Sequence, residues 1–265
     1  MAFDLNEVEA GLAGTAFAGH VQHLSSVNST NTLALEAAQA GARTGVWIAD
    51  EQTAGRGRGG HGWHSIAGEG LYVSALVAPD LPLAMALWIS LATGLAAKQA
   101  IQDVTGLDAD IRWPNDLLVQ GKKCGGILVE TAMTPVTIAN REATLRYAVI
   151  GIGMNLNHES FPDEIARFAT SLRLESGRHV RREPFLVTLL QSLEKELHLL
   201  AQAEGGDLLE RMTAASSWVR GKHVRVDENG GYTGVTAGLD ARGFLLIDGE
   251  DGLRRTVLSG GVREL

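Results

Sequence analysis

At residues 55–63 the chain reads Gly55-Arg56-Gly57-Arg58-Gly59-Gly60-His61-Gly62-Trp63. Five of these nine residues are glycine. Because glycine has a high ordering entropy and adds no side chain to a core, the stretch predicts a loop rather than a helix or a strand. We expect its backbone N–H groups to stay free, which suits the binding of an anion, and the two guanidinium groups suit carboxylate or phosphate. From these residues alone, a flexible surface loop and a segment that touches nucleic acid stay open as alternatives.

Three further motifs combine charged or polar side chains with turns or glycines. They read Arg112-Trp113-Pro114-Asn115-Asp116, Gly121-Lys122-Lys123-Cys124-Gly125-Gly126 and Gly151-Ile152-Gly153-Met154-Asn155-Leu156-Asn157. A lysine before two glycines would bring a point charge to a phosphate, and glycines at a strand end admit the close approach of a ligand. Taken singly, each motif also fits a structural interpretation: a polar turn with a core tryptophan, a solvated hairpin tip or a bulge.

The bulk properties limit the classes of function. The chain has 265 residues, of which 45% are apolar and 20% charged, with a net charge of −8. An acidic balance argues against broad binding to nucleic acid or an anionic membrane, because affinity for phosphates requires a basic surface. A single cysteine, Cys124, allows no internal disulfide, and the acidic N-terminus is unlike a signal peptide. Without an apolar run of about 18 residues, we expect a cytoplasmic protein that binds neither DNA nor membrane.

The hydrophobic periodicity predicts alternating helices and strands, followed by a β-rich C-terminus. Predicted strands lie at residues 21–27, 45–49, 71–77, 111–113, 117–119, 123–130 and 147–153, and predicted helices at 7–12, 32–40, 84–101, 161–172, from 184 onward and at 207–216. From residue 222, short pieces at 223–227, 233–239, 243–248 and 254–258 are typical of a small barrel of about five strands. The change of texture predicts two domains, residues 1–218 and 219–265.

Other catalytic constellations are not found in the sequence. It has no phosphate-binding Gly-x-x-x-x-Gly-Lys-Ser/Thr loop, no complete dinucleotide fingerprint and no Gly-x-Ser-x-Gly elbow. His61 and His64 lie three residues apart without a third ligand in view, so we expect no metal site built from protein ligands. Cys124 has no evident catalytic partner, which favours a small buried side chain.

The four motifs together resemble the biotin–protein ligases. The resemblance rests on residues 50–58, on Trp113-Pro114-Asn115-Asp116, on Lys123 with Gly126-Ile127-Leu128-Val129-Glu130, and on Gly151-Ile152-Gly153-Met154-Asn155, in that order. It covers residues 20–160 closely. The fold it implies is α+β, with a mixed β-sheet catalytic domain packed with helices, like class II aminoacyl-tRNA synthetases, and a small C-terminal SH3-like β-barrel.

The activity it implies has two steps. The biotin carboxylate attacks the α-phosphate of ATP, giving biotinyl-AMP and pyrophosphate, and a lysine of a biotin carboxyl carrier protein then takes the biotinyl group. Mg²⁺ is expected to accompany ATP, held mainly by phosphates and water. A homodimer is compatible with the sequence, which does not decide the oligomeric state.

The resemblance also assigns roles to residues. The catalytic set is Arg56, Arg58, Lys123 and Asp116, whose cations stabilise the developing negative charge. Ser29, Thr30, Asn31 and Gln52 line the ureido end of biotin, Gly126 and Gly151 admit its ring and chain, and Asn115, Asp116 and Asn155 face the adenylate. Gly55, Gly57, Trp63 and Gly153 complete the predicted binding set. We expect the loop to be mobile until a ligand orders it.

Some residues differ from the family pattern. His61 stands where the loop usually carries a third arginine, and because histidine is mostly neutral at pH 7 we expect a weaker hold on the triphosphate and a steeper pH dependence. Arg112 replaces the usual lysine before the Trp-Pro-Asn-Asp motif, and Cys124-Gly125 replaces bulkier residues. No DNA-binding domain is recognised ahead of the catalytic region, so we expect no repressor role.

Three other functions stay open. A lipoate or octanoyl ligase of the same fold would adenylate lipoate and not biotin. A biotin- or nucleotide-binding regulator without turnover would bind its ligand and release no pyrophosphate. A nucleic-acid module would bind oligonucleotides in a salt-dependent manner.

Overall fold

The fold consists of a mixed main sheet flanked by helices and a smaller antiparallel C-terminal sheet. The computed structural model describes residues 3–134, 143–202, 207–228, 230–258 and 261–265. This architecture confirms the α+β class predicted from the sequence.

Seven strands form the main sheet. They are β1 (Val21–Val27), β2 (Gly45–Gln52), β3 (Gly70–Val77), β4 (Asp110–Arg112), β5 (Asp116–Val119), β6 (Lys122–Met133) and β7 (Leu145–Asn155). Their order is β1-β2-β3-β7-β6-β5-β4. Only the β1–β2 pair is parallel, and every other neighbouring pair in the sheet is antiparallel. The long strands β6 and β7 therefore lie side by side at the centre.

Helices cover both faces of this sheet. They are α1 (Leu5–Gly11), α2 (Thr30–Gln39), α3 (Ala86–Thr105), α4 (Asp163–Ala166), α5 (Leu172–Ser176), α6 (Arg182–Gln202) and α7 (Leu208–Ala215). A large core joins α3 and α6 to one face, whereas α2 contributes Ala34 and Ala38 to a smaller cluster with Trp47 and Val149. Since side chains alternate along a strand, Gly151 and Gly153 lie on the same face of β7 as Val149. The first turn of α2 therefore meets a glycine-lined part of the sheet.

Helix α3 is the main core helix. The segment Leu83–Thr105 is long and apolar enough, by length and composition, to cross a membrane, and 61% of its most apolar window is buried within the fold. It ends at Gly106, which adopts a left-handed conformation with φ 77°, as glycine does at helix C-termini. This burial is that of a core helix of a folded domain.

The C-terminal sheet contains five strands. They are β8 (Arg220–Asp227), β9 (Tyr232–Leu239), β10 (Leu245–Gly249), β11 (Arg254–Val257) and β12 (Gly261–Glu264), in the order β11-β10-β9-β8-β12. Four of the five were located by the sequence pattern. The short β12 was not, because its pairing with β8 is a long-range contact and its own residues are mostly exposed. The division into domains 1–218 and 219–265 stays a prediction.

Several predicted boundaries differ from the observed ones by a few residues, and two of the differences have a clear structural reason. Strand β2 continues past Ala49 to Gln52, because β1 pairs alongside it as far as Val27 opposite Gln52. Helix α6 begins at Arg182, so that Pro184 lies within its first turn, where the missing N–H of proline costs no intrahelical bond.

Candidate functional site

The glycine–arginine loop (residues 55–63) folds back on itself. Trp63 N donates to Gly55 O at 2.9 Å, Gly57 N to His61 O at 2.7 Å and His61 N to Arg58 O at 3.3 Å. A single 3₁₀ turn, Arg58–Gly60, lies at the tip. The expectation that the backbone N–H groups of the loop stay free is therefore wrong for these three donors. The predicted mobility of the loop without a ligand stays a prediction.

Left-handed conformations at the tip explain part of the glycine content. Gly59 and Gly60 have φ values of 64° and 80°, which a residue with a Cβ atom rarely adopts. These two positions reverse the chain between Arg58 and His61. Arg56 and Arg58 both line two adjoining cavities.

The smaller cavity has a volume of about 50 Å³ and lies between the loop, α2 and the centre of the main sheet. Its lining includes Ser29, Thr30, Asn31, Gln52, Arg56, Gly57, Arg58, Trp63, Asn115, Lys123, Gly126, Gly151 and Gly153. The structure thus brings together thirteen residues that the sequence singled out. The larger cavity, of about 640 Å³, lies on the other side of the two arginines and is lined by Gly55, His61, the start of α3 and residues 127–131 of β6.

A polar network closes one end of the smaller cavity. Gln52 Oε1 accepts from Thr30 N at 2.9 Å and from Thr30 Oγ1 at 3.1 Å. Ser74 Oγ lies 2.7 Å from Thr30 Oγ1 and 2.5 Å from Asn31 Oδ1. Asn31 Nδ2 donates to Glu130 Oε2 at 2.8 Å. We call these five residues, Gln52, Thr30, Ser74, Asn31 and Glu130, the polar network.

Cations converge at the other end of the cavity. Lys123 Nζ lies 2.5 Å from Asp116 Oδ1, and Arg112 Nε and Nη2 donate to Asp116 Oδ2 at 3.1 and 2.5 Å. Burial alone would raise the pKa of the Asp116 carboxyl, but the charges of Lys123 and Arg112 and their hydrogen bonds hold that pKa below its ordinary value. Asp116 is therefore ionised at neutral pH and directs the ammonium group of Lys123.

Arg58 is held by the turn of the Trp-Pro-Asn-Asp motif (residues 113–116), which begins with a cis Trp113–Pro114 bond. Arg58 Nη1 donates to Asn115 Oδ1 at 3.2 Å, and Asn115 Nδ2 donates to Ile127 O on β6 at 2.8 Å. Burial lowers the pKa of the Arg58 guanidinium, and the charge of Asp116 opposes that change. Because arginine stays protonated in proteins, Arg58 presents a half-buried positive charge to both cavities.

Trp63 covers the glycine floor of the site. A Cβ atom at Gly153 would lie 2.5 Å from Trp63 Cε2, and one at Gly126 would lie 2.9 Å from Trp63 Cζ3. Lys123 Nζ lies 5.4 Å from the centre of the indole ring, within range of a cation–π contact. The two glycines therefore make room for a side chain of the protein itself, and so does Gly151, whose Cβ would overlap Asn31 Oδ1. Sequence reasoning assigned that room to a ligand alone.

Three of the predicted site residues lie outside the smaller cavity. Gly55 lines only the larger one. Asp116 lies behind Lys123, as described above. Asn155 is buried, and its Nδ2 donates to Thr170 O at 3.0 Å and to Lys123 O at 3.5 Å, so its observed contacts support the backbone around Lys123. Its predicted contact with an adenylate stays a prediction.

Two residues of the site were missed. Ser74 is a fully buried hydroxyl within an otherwise apolar strand, and a polar residue at an inward position was a signal available in the sequence. Glu130 was quoted as the end of a motif but given no role. Its contacts with Asn31 and Arg56 join distant parts of the chain, which local sequence patterns do not encode.

Other reactive side chains take no part in the cavity. Burial raises the pKa of the Cys124 thiol to about 12, so it is protonated at neutral pH and inert, as a small buried side chain would be. Within the described ranges, no three His, Cys, Asp or Glu side chains are grouped as they would be around a metal ion. His64 packs near His158 with ring centroids 5.9 Å apart.

Comparison with known proteins finds relatives along most of the chain. Residues 24–155 match the model of the biotin/lipoate A/B protein ligase family, and residues 220–262 match that of the biotin protein ligase C terminal domain. The bifunctional ligase/repressor BirA of Bacillus spizizenii is 33% identical over 254 residues, covering 94% of this chain and 76% of that protein. The biotin--[acetyl-CoA-carboxylase] ligase of Mycobacterium tuberculosis is 32% identical over 241 residues, covering 88% and 84%.

A solved structure is similar over the same extent. The biotin protein ligase from Aquifex aeolicus in complex with biotin and ATP superimposes with a TM-score of 0.78 at 27% identity, covering 93% of this chain and 100% of that one.

Proposed function

This chain belongs to the biotin protein ligase family, and from that premise we propose that the smaller cavity binds biotin, with ATP entering beside Arg58 and Lys123. Family membership and ATP-dependent ligase activity were predicted from the sequence and are confirmed by the relatives. The assignment of roles to single residues is our proposal. The observation that carries it is that one cavity is lined by Thr30, Asn31 and Gln52 of the polar network and by three cations, Arg56, Arg58 and Lys123.

The polar network fits a cyclic urea. The backbone N–H of Thr30 can only donate, so the Gln52 side-chain amide is oriented with Oε1 toward Thr30. Gln52 Nε2 is then left as a donor for the urea oxygen. Asn31 and Ser74 offer acceptor oxygens to the urea N–H groups. A site built to pair such groups rejects a ligand that lacks them, because its buried polar atoms would be left unpaired.

The cations fit the chemistry of adenylation. In the first step an oxygen of the biotin carboxylate forms a bond to the α-phosphorus of ATP, and the bond to the pyrophosphate oxygen breaks. Arg56, Arg58 and Lys123 hold two anions together against their mutual repulsion and stabilise the charge that accumulates on the phosphate. Asp116 positions Lys123 and touches no substrate in this account.

The second step is an acyl transfer. The neutral ε-amine of a carrier lysine attacks the acyl carbon of biotinyl-AMP, an amide bond forms, and AMP leaves with the electron pair of the broken C–O bond. The lysine loses a proton in forming the amide. The loop and Trp63 exclude water from the mixed anhydride until the carrier arrives.

Magnesium fits this site only as a companion of ATP. Mg²⁺ retains several waters and binds through substrate phosphates with one or two carboxylates, and the described residues offer no cluster of three ligands. We therefore propose that phosphate oxygens and water supply most of its ligands.

The proposal extends to partners and location. The name of the Mycobacterium tuberculosis relative supports a carboxylase carrier domain as the acceptor. The net charge of −8 supports an enzyme that does not bind DNA, and the single cysteine supports a cytoplasmic location, since disulfides are rare in that compartment. Beyond Gly126, β6 has no partner strand on its β5 side among the described residues, and this edge would allow a homodimer to form by strand addition.

The lipoate alternative is less well supported. A dithiolane ring has no urea oxygen or N–H to pair with Gln52, Asn31 and Ser74, so binding lipoate would leave this network unsatisfied.

The test is ATP–pyrophosphate exchange with biotin or lipoate as the acid, followed by transfer to a carrier domain. We expect biotin-dependent exchange that Lys123→Met abolishes, and labelling of the carrier lysine. Exchange with lipoate only would overturn the substrate assignment. Tight biotin binding without exchange would overturn the assignment of Arg58 and Lys123 to catalysis and leave a sensor.

A further inference from the structure

Glu130 lies on β6 directly opposite Val149 of β7 and lines the larger cavity, whereas its partners Asn31 and Arg56 line the smaller one. Its side chain is 27% exposed. One oxygen, Oε2, accepts from Asn31 Nδ2 at 2.8 Å and from Arg56 Nη2 at 2.9 Å. A single carboxylate oxygen therefore connects the polar network of the sheet with the glycine–arginine loop.

The contacts of Asn31 fix which way its amide points. Nδ2 has two hydrogens, and it donates to Glu130 Oε2 and, at 3.3 Å, to Leu128 O. Both partners can only accept. Asn31 Oδ1 consequently faces Ser74, whose hydroxyl lies 2.5 Å away.

The amide is also confined sterically. Asn31 is 4% exposed, and it lies so close to Gly151 that a Cβ atom there would overlap Oδ1. The side chain therefore has little room to adopt another rotamer, and the remaining freedom is a flip that exchanges its oxygen and nitrogen.

The ionised carboxylate opposes that flip. Turning the amide over would place Oδ1 against the Glu130 carboxylate and the Leu128 carbonyl, two acceptors, and would leave a buried N–H₂ group facing Ser74. Leu128 alone is a weaker restraint because it is neutral and more distant, and Ser74 tolerates either orientation since a hydroxyl both donates and accepts.

We propose that Glu130 is a positioning residue. It determines whether Asn31 offers an acceptor or a donor to the ligand at the polar network, and it thereby determines specificity for a cyclic urea. This inference rests on the proposed function. Glu130 acts through Asn31, whose Oδ1 it presents toward the urea N–H groups, and it holds Arg56 at the same time. It touches neither reacting atom.

A replacement series separates the charge from the hydrogen bond. Glu130→Leu removes the acceptor, whereas Glu130→Gln keeps one oxygen that can accept from Asn31 and Arg56. Asp108→Asn is the matched control, because it removes a carboxylate from an exposed ion pair with Lys98 at 2.6 Å. Thermal unfolding of each variant shows whether it is folded.

The readout is the KM for the acid in ATP–pyrophosphate exchange, measured with biotin, with desthiobiotin, which keeps the urea, and with lipoate, which has no N–H group from which Asn31 Oδ1 could accept a hydrogen bond. A buried hydrogen bond of this kind corresponds to roughly a tenfold change. We therefore expect Glu130→Leu to raise the biotin KM about tenfold, to raise the desthiobiotin KM in parallel and to reduce the preference for these urea-containing acids over lipoate by a similar factor. Glu130→Gln should recover most of that preference, and Asp108→Asn should retain all of it.

Arg56→Met and the double variant separate the two contacts of Glu130. If Glu130 acts on Asn31, the loss of urea preference persists in the Arg56→Met background. If it disappears there, Glu130 works only through the loop and the inference is overturned.

Two results, one for the Glu130→Leu variant and one for the parent enzyme, keep the inference separate from the proposed function. A folded Glu130→Leu variant with unchanged biotin KM and urea preference overturns the inference and leaves the ligase assignment standing. A parent enzyme that shows no exchange with biotin overturns the proposed function itself.

Discussion

His158 is a buried histidine beside the candidate site, held by its neighbours in the neutral form. Its ring stacks on Phe161 with a centroid distance of 5.3 Å and lies 3.4 Å from the Tyr72 hydroxyl through Nε2. Among the residues that the structure describes, Nδ1 of His158 has no hydrogen-bond partner. Burial first, and then the nearby His64, lower the pKa of His158 from 6.5 to about 4.

This change in pKa predicts a loss of stability in acid. Between pH 6.5 and about pH 4 the unfolded chain binds a proton that folded His158 does not, so the free energy of unfolding falls as the pH falls. Going from about pH 7.5 to about pH 5, the contribution of this one residue is a loss of about 2 kcal/mol. His158→Gln should flatten the pH dependence of chemical denaturation by that amount.

The matched control is His198→Gln, which replaces an exposed histidine on α6. This substitution should leave the pH dependence of the free energy of unfolding the same as in the parent protein. If the free energy of unfolding of the parent and of His158→Gln changed in parallel over this pH range, His158 would be protonated in the folded state as readily as in the unfolded chain.

At the scale of elements, the floor of the site depends on glycines in β6 and β7. Gly126 and Gly153 are paired directly across the two strands, and the Trp63 indole lies over both. The adjoining Ile127 and Ile152 point to the opposite face and belong to the hydrophobic interior. Because side chains alternate along each strand, one face of the sheet packs into the interior here, and the opposite face has room for the Trp63 indole.

Adding a methyl group to this floor should displace the indole. In Gly153→Ala the new Cβ would lie 2.5 Å from Trp63 Cε2, closer than packed atoms tolerate, and overpacking of this kind costs about 1–3 kcal/mol. We expect lower stability, altered tryptophan fluorescence and a higher KM for biotin in the exchange assay.

Gly94→Ala in α3 is the control for this substitution. A Cβ atom there would lie 3.5 Å from an Ile111 methyl group, an ordinary contact, and alanine in a helix interior is favoured over glycine by about 0.5–1 kcal/mol. That variant should be more stable with unchanged kinetics. Unchanged fluorescence and biotin KM in Gly153→Ala would mean that the position of Trp63 does not matter for binding.

The same elements show how far sequence patterns reach. The bounds predicted for β1, Val21–Val27, are the observed ones, although its exposed and buried residues do not follow a strict strand period. The four motifs were recognised because turns and glycines have strong local preferences. Two members of the polar network, Ser74 and Glu130, were not identified. They acquire their roles from residues that become their neighbours only when β3, β6 and β7 form the sheet and α2 packs on it.

At the scale of the whole molecule, the C-terminal sheet is anchored to the core of the main domain by two indoles. Trp88 Nε1 donates to Arg242 O at 2.8 Å, and Trp113 Nε1 donates to Gly243 O at 2.9 Å. Gly243 has a φ of 86°, and a Cβ atom there would lie 3.0 Å from Leu91. The turn between β9 and β10 is therefore pressed against α3.

Trp113 also begins the motif that holds Arg58. Asn115 and Asp116 follow it by two and three residues, and Ser90 Oγ of α3 donates to Pro114 O at 3.1 Å. Arg112, the residue that precedes Trp113, pairs with Asp116. Its guanidinium carbon lies 5.4 Å from the ring of Trp218, a residue just before β8. The C-terminal sheet thus contacts the segment that positions the cations.

This arrangement predicts different consequences for the two indoles. Trp113→Phe and Trp88→Phe each leave a carbonyl of the docked turn without its donor. The loss is about 1–3 kcal/mol for the buried Gly243 O and smaller for Arg242 O, whose hydrogen bond is only partly buried. Both should therefore lower the unfolding temperature. Only Trp113→Phe should also lower kcat for pyrophosphate exchange, because Trp88 lies on α3 and is not continuous with Asn115 and Asp116.

The comparison of the two variants decides between two roles for the C-terminal sheet. If kcat falls only in Trp113→Phe, the sheet supports catalysis by holding one segment, residues 112–116, in position. If Trp88→Phe lowers kcat as much at equal stability, docking of the whole sheet is what the reaction requires. If neither changes kcat while both are destabilised, the contact between the sheets stabilises the fold and does not position Arg58 or Lys123.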